Sequence, residues 1–196
     1  MLAESYGMEG VWLSNMHDSR DPFVNLVDAA RATSRIKLGP VAVSPYELHP
    51  LKMANALLTL NEISGGRAHI GVGAGDGGTA TAMGMKAVKR VRAARECVEI
   101  IEAASTGKPV KYKGELYNVM YYHSAWVTQP PPDVFVCAGG PQMIASSARY
   151  AQGIYVGDHL PHHIARINEV IKAEQAKIGR ADPNFRLLNF WAWHVK

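Results

Sequence analysis

Apolar residues fall along this chain in short unbroken blocks separated by longer stretches in which they recur every three or four positions. Residues 10–15, "GVWLSN", form one such block, and residues 22–33, "PFVNLVDAARAT", follow with a helical period. Asp21 is placed to cap that helix and Pro22 to sit in its first turn. The alternation continues. Strands are expected at 35–44, 67–73, 134–138, 153–157 and 185–195, and helices at 50–63, 87–105, 142–151 and 161–178. Ser64-Gly65-Gly66 should end the helix at 50–63. The N-terminal "MLAESYGMEG" also has a helical pattern.

Six apolar strands with helices between them predict right-handed βαβ units and a parallel sheet. The rhythm breaks only at 106–133. There Lys108 to Tyr117 reads as a short hairpin, within an insertion near 108–128, and Gln129-Pro130-Pro131-Pro132 as a stiff linker into the next strand. Of the two parallel architectures, an open doubly wound sheet carries G-x-G-x-x-G at its first strand-to-helix turn. Gly71, Gly73 and Gly75 are spaced G-x-G-x-G instead, and the regular strand spacing favours a (β/α)8 barrel. About six of its eight strands are visible, so the expected fold is an incomplete barrel of the TIM type forming a single domain over residues 1–196. Its first and last strands, 10–15 and 185–195, should be exposed or partner-covered edges, the simplest partner being a second copy. The end of the last strand, "FWAWHV", should be apolar on both faces.

The strand at 35–44 is irregular. Gly39-Pro40 interrupts it, Val41-Ala42-Val43 resumes it, and Ser44-Pro45 ends it. Proline cannot donate to a ladder and is rare inside a central strand.

Composition adds limits. The chain has no apolar run of transmembrane length and no visible signal peptide. Its two cysteines, Cys97 and Cys137, fall in a helix and a strand, and read as buried thiols suited to a reducing cytoplasm. The net charge of +4 is local: Lys86, Lys89, Arg90, Arg92 and Arg95 crowd "KAVKRVRAARE". That cluster is either a solvated helix face or an attraction for an anionic cofactor tail. No nucleic-acid motif accompanies it; the expected partner is a small-molecule substrate and not nucleic acid.

In a barrel, chemistry is placed at the strand C-termini. Those ends contribute Ser14, Asn15 and His17, Val41 to Tyr46, Gly73 to Asp76, Ala138 to Met143, Gly157 to His163, and Trp191 to His194. Cys137-Ala138-Gly139-Gly140-Pro141-Gln142-Met143 runs from strand to helix through a glycine pair. Its bare amides suit a phosphate, or the glycines merely serve a tight turn. Asp76 is either a general acid or a helix cap. His17 is either catalytic or a loop residue. His159, His162 and His163 match no metal spacing template, and His162 and His163 are expected on different sides of their helix.

Four stretches taken in order, "GVWLSNMHDSRDPF", "ATSRIKLGPVAVSPYELHP", "LNEISGGRAHIGVGAGD" and "VFVCAGGPQM", resemble the luciferase-like family of flavin and deazaflavin enzymes. Within it the chain is most similar to the methylenetetrahydromethanopterin reductases and related enzymes dependent on coenzyme F420. The resemblance implies a non-prolyl cis peptide within Val41 to Val43, bulging the strand against the cofactor ring. It implies Ser44 facing the cofactor, Gly139 and Gly140 holding its phosphate, and Asp76 as proton donor. Cofactor contacts are thereby expected at Asn15, Val41, Ala42, Val43, Ser44, Gly75, Gly139, Gly140, Pro141 and Gln142, and catalytic roles at Asp76 and His17. Relatives commonly read Ser/Thr-Asp-His after this strand. Here Asn15 replaces the acid and His17 is displaced by one position. The implied activity is hydride transfer between reduced F420 and an organic substrate. An FMN-dependent monooxygenase and a non-catalytic flavin-binding partial barrel are the alternatives.

Overall fold

A computed structural model describes residues 2–75 and 77–191. The chain divides into two compact units, Met1–Val134 and Phe135–Lys196. The first carries α1 (Leu2–Ser5), β1 (Gly10–Ser14), α2 (Pro22–Asn25), α3 (Val27–Ala32), β2 (Lys37–Val41), α4 (Pro50–Ile63), β3 (His69–Val72), α5 (Gly77–Ala82), α6 (Arg90–Ser105), β4 (Val110–Lys113) and β5 (Asn118–Tyr122). Strand β6 (Asp133–Cys137) leads into the second, with α7 (Pro141–Ser147), β7 (Gly153–Gly157), α8 (Pro161–Ala176) and β8 (Arg186–Phe190).

In the first unit β1 runs parallel to β2, from Gly10 opposite Lys37 to Ser14 opposite Val41. The β2 segment meets β3 through parallel bridges at Leu38 to Ala68 and Val43 to Val72. Five steps separate Leu38 from Val43 and four separate Ala68 from Val72. One extra residue is therefore accommodated between the bridges, which is a bulge. Gly39-Pro40 lies inside it. Gly39 is needed because a Cβ there would overlap the backbone carbonyl of His69.

The apolar faces of α4 and α6 close this unit's core. Met53, Ala54, Leu57, Leu58 and Leu60 on α4 meet the helical period, as do Ala93, Ala94, Cys97, Ile100, Ile101 and Ala104 on α6. All are buried. Arg67 ties the end of α3 to the start of β2. Its guanidinium donates to the carbonyls of Ser64, Ala30, Thr33 and Ile36 at about 2.7–2.8 Å and to Thr33 Oγ1 at 3.0 Å. Glu96, buried on α6, accepts the amides of Glu115, Leu116 and Tyr117 at 2.8, 2.9 and 3.0 Å and so holds the β4–β5 hairpin turn. In the second unit β6, β7 and β8 are parallel neighbours, with Phe135, Val136, Ile154 and Val156 buried.

Several expectations shift. The helix expected at 22–33 is two helices divided at Leu26, although Asp21 caps it as anticipated, accepting Val24 N–H at 2.9 Å. Helix α5 was not anticipated because its glycines are poor helix formers. Helix α6 starts at Arg90 rather than 87, since Lys89 adopts a left-handed conformation. Helix α7 covers 141–147 rather than 142–151. Its successor begins at Pro161 and ends at Ala176, near the expected 161–178. The hairpin occupies 110–122, inside the insertion expected near 108–128, with its second strand at 118–122 just past Tyr117. Strand β8 is described only over 186–190; the remainder of "FWAWHV" lies outside the described residues apart from Phe190 and Trp191, both about half exposed. Among the described strands β1 pairs only with β2, and β8 only with β7, as edge strands do.

The basic cluster is largely a paired helix face. Glu115 takes Lys89 and Arg92, and Glu99 takes Arg95. The cysteines are free thiols, Cys97 buried as expected and Cys137 only half-buried at the end of its strand. Among the described residues no helix is long and apolar enough to cross a membrane.

Candidate functional site

In the first unit the ends of β1, β2 and β3 bring a set of expected site residues together. Val41 and Ala42 are joined by a cis peptide, within the expected stretch. Asn15 N–H donates to Val41 O at 2.8 Å, and Val43 exchanges bonds with β3, donating to Gly71 O and accepting from Gly73 N–H, each at 2.9 Å. The bulged Ala42 therefore stands anchored on both sides. A Cβ on Gly73 would come 2.8 Å from Ala42 Cβ, so Gly73 leaves room for this side chain.

Ser44 is buried. Its Oγ accepts Tyr46 N–H at 3.2 Å, and Gly75, at φ +77°, lies against it. Tyr46 donates to Val88 O and Tyr117 donates to Pro45 O at 3.1 Å, bracing the loop after β2. Burial pushes the Tyr117 phenol up to about 12, and burial likewise raises Tyr46 against the opposing pull of Arg90. Both are neutral donors at ordinary pH.

Asn15 is half-buried. Its Nδ2 donates to Glu47 Oε2 at 2.7 Å and to Ala42 O at 3.4 Å. Glu47 was not singled out from sequence, because a glutamate in a loop is ordinarily solvated and nothing in "SPYELHP" reveals its partner across thirty-two positions. His17 is exposed, with Nδ1 3.4 Å from Thr79 Oγ1 of α5. Asp76 lies outside the described residues.

The second unit carries Gly139, Gly140, Pro141 and Gln142 at the turn from β6 to α7. Gly140 has φ −132° and ψ 160°, an extended backbone open to any residue, and φ at Gly139 is also outside the left-handed region. A Cβ on either glycine would meet nothing within 4 Å. Among the described residues their amides find no acceptor. Neither backbone conformation nor packing requires glycine here, which removes the tight-turn explanation. What glycine provides is bare backbone beside open space. Gly157, at the end of β7, has the same open surroundings.

Beside this turn a cavity of about 300 Å³ is lined by Gly139, Pro141, Ile144, His159, His163 and Arg166, among others. The His162 and His163 rings are 4.0 Å apart, which corrects the expectation that they point to different sides; the loop before Pro161 and the first turn of α8 bring them to one end. Desolvation and the neighbouring His162, His159 and Arg166 hold His163 below the usual histidine range. Among the described residues no group of three metal-ligating side chains forms.

Residues 1–195 match the luciferase-like monooxygenase family. The chain belongs to that family. This luciferase-like chain is 35% identical to a 5,10-methylenetetrahydromethanopterin reductase of Archaeoglobus fulgidus, over 94% of its own length and 55% of the relative's. It is 31% identical to an F420-dependent glucose-6-phosphate dehydrogenase of Kineococcus radiotolerans, over 77% of this chain and 48% of that one. Among solved structures it superposes on the coenzyme F420-dependent tetrahydromethanopterin reductase of Methanopyrus kandleri with a TM-score of 0.84 at 28% identity, covering 96% of this chain and 59% of that one. The luciferase-like chain thus spans about half the length of the curated relatives it matches. Its α/β fold is that of the TIM-barrel members of the family, represented by six parallel strands among the described residues.

Proposed function

We propose that this luciferase-like chain is part of an oxidoreductase that moves a hydride between coenzyme F420 and an organic substrate, as the names of its methylenetetrahydromethanopterin reductase relatives suggest. The observation that carries the reading is the Gly139–Gly140 pair, two uncommitted amides beside open space at a strand end where the fold has no use for glycine. Such amides fit the phosphate that F420 and FMN share. In the first unit the bulge at 39–42 offers a small, apolar, rigid surface at Ala42, anchored by Asn15 and Gly73, which fits the face of a flat ring.

When bound, the cofactor supplies the hydride. The chain's own residues bind and orient. Val41, Ala42 and Val43 would limit the ring to one face, and Ser44 and Gly75 would complete the adjoining wall. Gly139 and Gly140 would donate to the phosphate, with Pro141 and Gln142 setting the start of the following helix. Asp76 is the carboxylate proposed to deliver a proton to the substrate, and His17 a second proposed proton-carrying group. FMN is the second reading, supported by the family's monooxygenase members. The same proposal makes these 196 residues one partial barrel domain whose edge strands β1 and β8 are covered in the active molecule by further strands or a second copy.

Titration of the purified chain with F420 and with FMN, followed by fluorescence quenching, tests this reading. Saturable F420 binding that is weakened in Gly140→Val supports it. Tighter binding of FMN would transfer the assignment to the monooxygenase reading, and binding of neither would overturn both. Asp76→Asn should keep F420 affinity and lose turnover.

A further inference from the structure

The Asn15–Glu47 contact carries information that the residue types alone do not. A side-chain amide has two N–H donors on its nitrogen and an acceptor on its oxygen, and which way it points is settled by its partners. Here the partners decide it. Glu47, when ionised, can only accept, and so can Ala42 O. Both stand on the same side of the Asn15 amide, at 2.7 and 3.4 Å from Nδ2. Turning the amide over would set Oδ1 against a carboxylate and a carbonyl at once. The two N–H groups are thereby engaged by the protein, and Oδ1 is the polar atom of the side chain left without a partner among the described residues.

We infer that Glu47 is a positioning residue: its carboxylate locks the Asn15 amide so that Asn15 presents its carbonyl oxygen, an uncharged acceptor, to a ring N–H of the bound cofactor. This rests on the reading above, in which the ring lies on the Val41–Val43 wall. The pairing also explains why an amide and not an acid occupies position 15. An acid there would place two carboxylates within contact distance, and one of them would have to hold a proton. The other titratable groups around this loop are Tyr46, which Arg90 influences, Tyr117 and His49; both phenols are neutral and engaged with backbone carbonyls, and His49 accepts Leu51 N–H through Nδ1 at 3.2 Å and packs edge-on against Tyr117.

Three variants, Asn15→Asp, Glu47→Gln and the double variant, test the proposal with two readouts. The first is the melting temperature of the cofactor-free protein against pH. In Asn15→Asp the shared proton raises one carboxylate's folded pKa, so the folded state binds more protons than the unfolded one. Stability should then fall as pH rises between about 5 and 8, a slope absent in the parent. In the double variant the amide introduced at position 47 donates to the carboxylate introduced at position 15, and the added slope should vanish. An Asn15→Asp protein without the slope, or a double variant that keeps it, overturns the pairing.

The second readout is cofactor affinity. The side chain introduced by Glu47→Gln can donate or accept and no longer fixes the Asn15 amide. The substitution should weaken F420 binding about five- to tenfold, the worth of one hydrogen bond, with the melting temperature little changed. Unchanged affinity in Glu47→Gln overturns the positioning role. A parent protein that binds neither F420 nor FMN overturns the reading of the ring site and the recognition role with it, and the cofactor-free titration separates that failure from failure of the pair.

Discussion

Replacing Gly140 with valine separates a ligand-binding glycine from a structural one, because the two roles predict opposite balances of affinity and stability. On the stability side, the backbone at Gly140 is extended and a new Cβ meets nothing within 4 Å, so no clash arises. Removing glycine's freedom from the unfolded chain stabilises by about 0.4–1 kcal/mol. Gly140 is also the N-cap of α7, where valine is poorer than glycine by roughly 1 kcal/mol. These effects offset, leaving a net change under about 1 kcal/mol, or roughly 2–4 °C in melting temperature for a chain of this size. On the affinity side, branched methyl groups would fill the space from which the Gly139 and Gly140 amides reach a phosphate. Charge-assisted hydrogen bonds are worth about 1.5–3 kcal/mol each, so losing one weakens binding by roughly tenfold to 150-fold. Fluorescence titration with F420, beside circular dichroism melts of the same samples, measures both. A loss of affinity matched by an equal loss of unfolding free energy, or affinity left intact, refutes the argument.

Three further outcomes are expected. Glu96→Ala leaves three backbone donors of the 115–117 turn without their carboxylate and should cost about 3–5 kcal/mol in chemical denaturation, with Glu96→Gln costing less; a change below about 1 kcal/mol would show that the turn is held otherwise. Burial raises the Cys97 thiol, and desolvation pushes that of the half-buried Cys137 up to about 12, so alkylation at neutral pH should be slow in the folded protein and complete in denaturant; rapid labelling of Cys97 in folded protein would contradict its burial. The second unit should lose stability on acidification in two stages. His163 is held low chiefly by desolvation, so the stability of its neutral state fades as pH drops below the ordinary histidine value of about 6.5. Glu174, held low by Lys177 and Arg149, and Asp182, held low by Arg180, contribute stability above their unfolded values that is lost as pH falls through their lower folded ones. A melting temperature flat from neutral pH to below the carboxylate range would refute it.

The sequence revealed what depends on periodicity and on local backbone chemistry. The β7 strand at 153–157 and the α4 helix at 50–63 match their expected bounds, because glycine and proline punctuate both ends. The strand irregularity at Gly39-Pro40 was legible for the same reason: proline has no N–H to give. Pairwise features were not legible. Nothing local announces that Arg67 will gather carbonyls from 30, 33, 36 and 64, or that Glu47 will find Asn15. Such contacts depend on which loops the fold brings together, and a single sequence records each partner only as an unremarkable polar residue. The proximity of His162 and His163 was misread because an ideal helical wheel ignores how the first turn's side chains lean back towards the preceding loop.

Glycine shows how the structure sorts residues that composition treats alike. The "GVGAG" run suggests a phosphate loop at first sight, yet its glycines are bound to the fold. Gly73 gives way to the Ala42 side chain, and Gly75 sits at φ +77° against Ser44. Gly39 has no space for a side chain at all. Each is explained by the bulged strand beside it, and alanine at any of them would cost stability. Gly139, Gly140 and Gly157 have ordinary backbone angles and empty surroundings, and alanine there should be tolerated by the fold. A motif search ranks the first group above the second, because regular spacing looks like design. Backbone angle and the space around an absent Cβ reverse that ranking. They assign the regular glycines to shaping the wall at Ala42 and leave the irregular pair after β6 as the one whose bare backbone only a ligand would need.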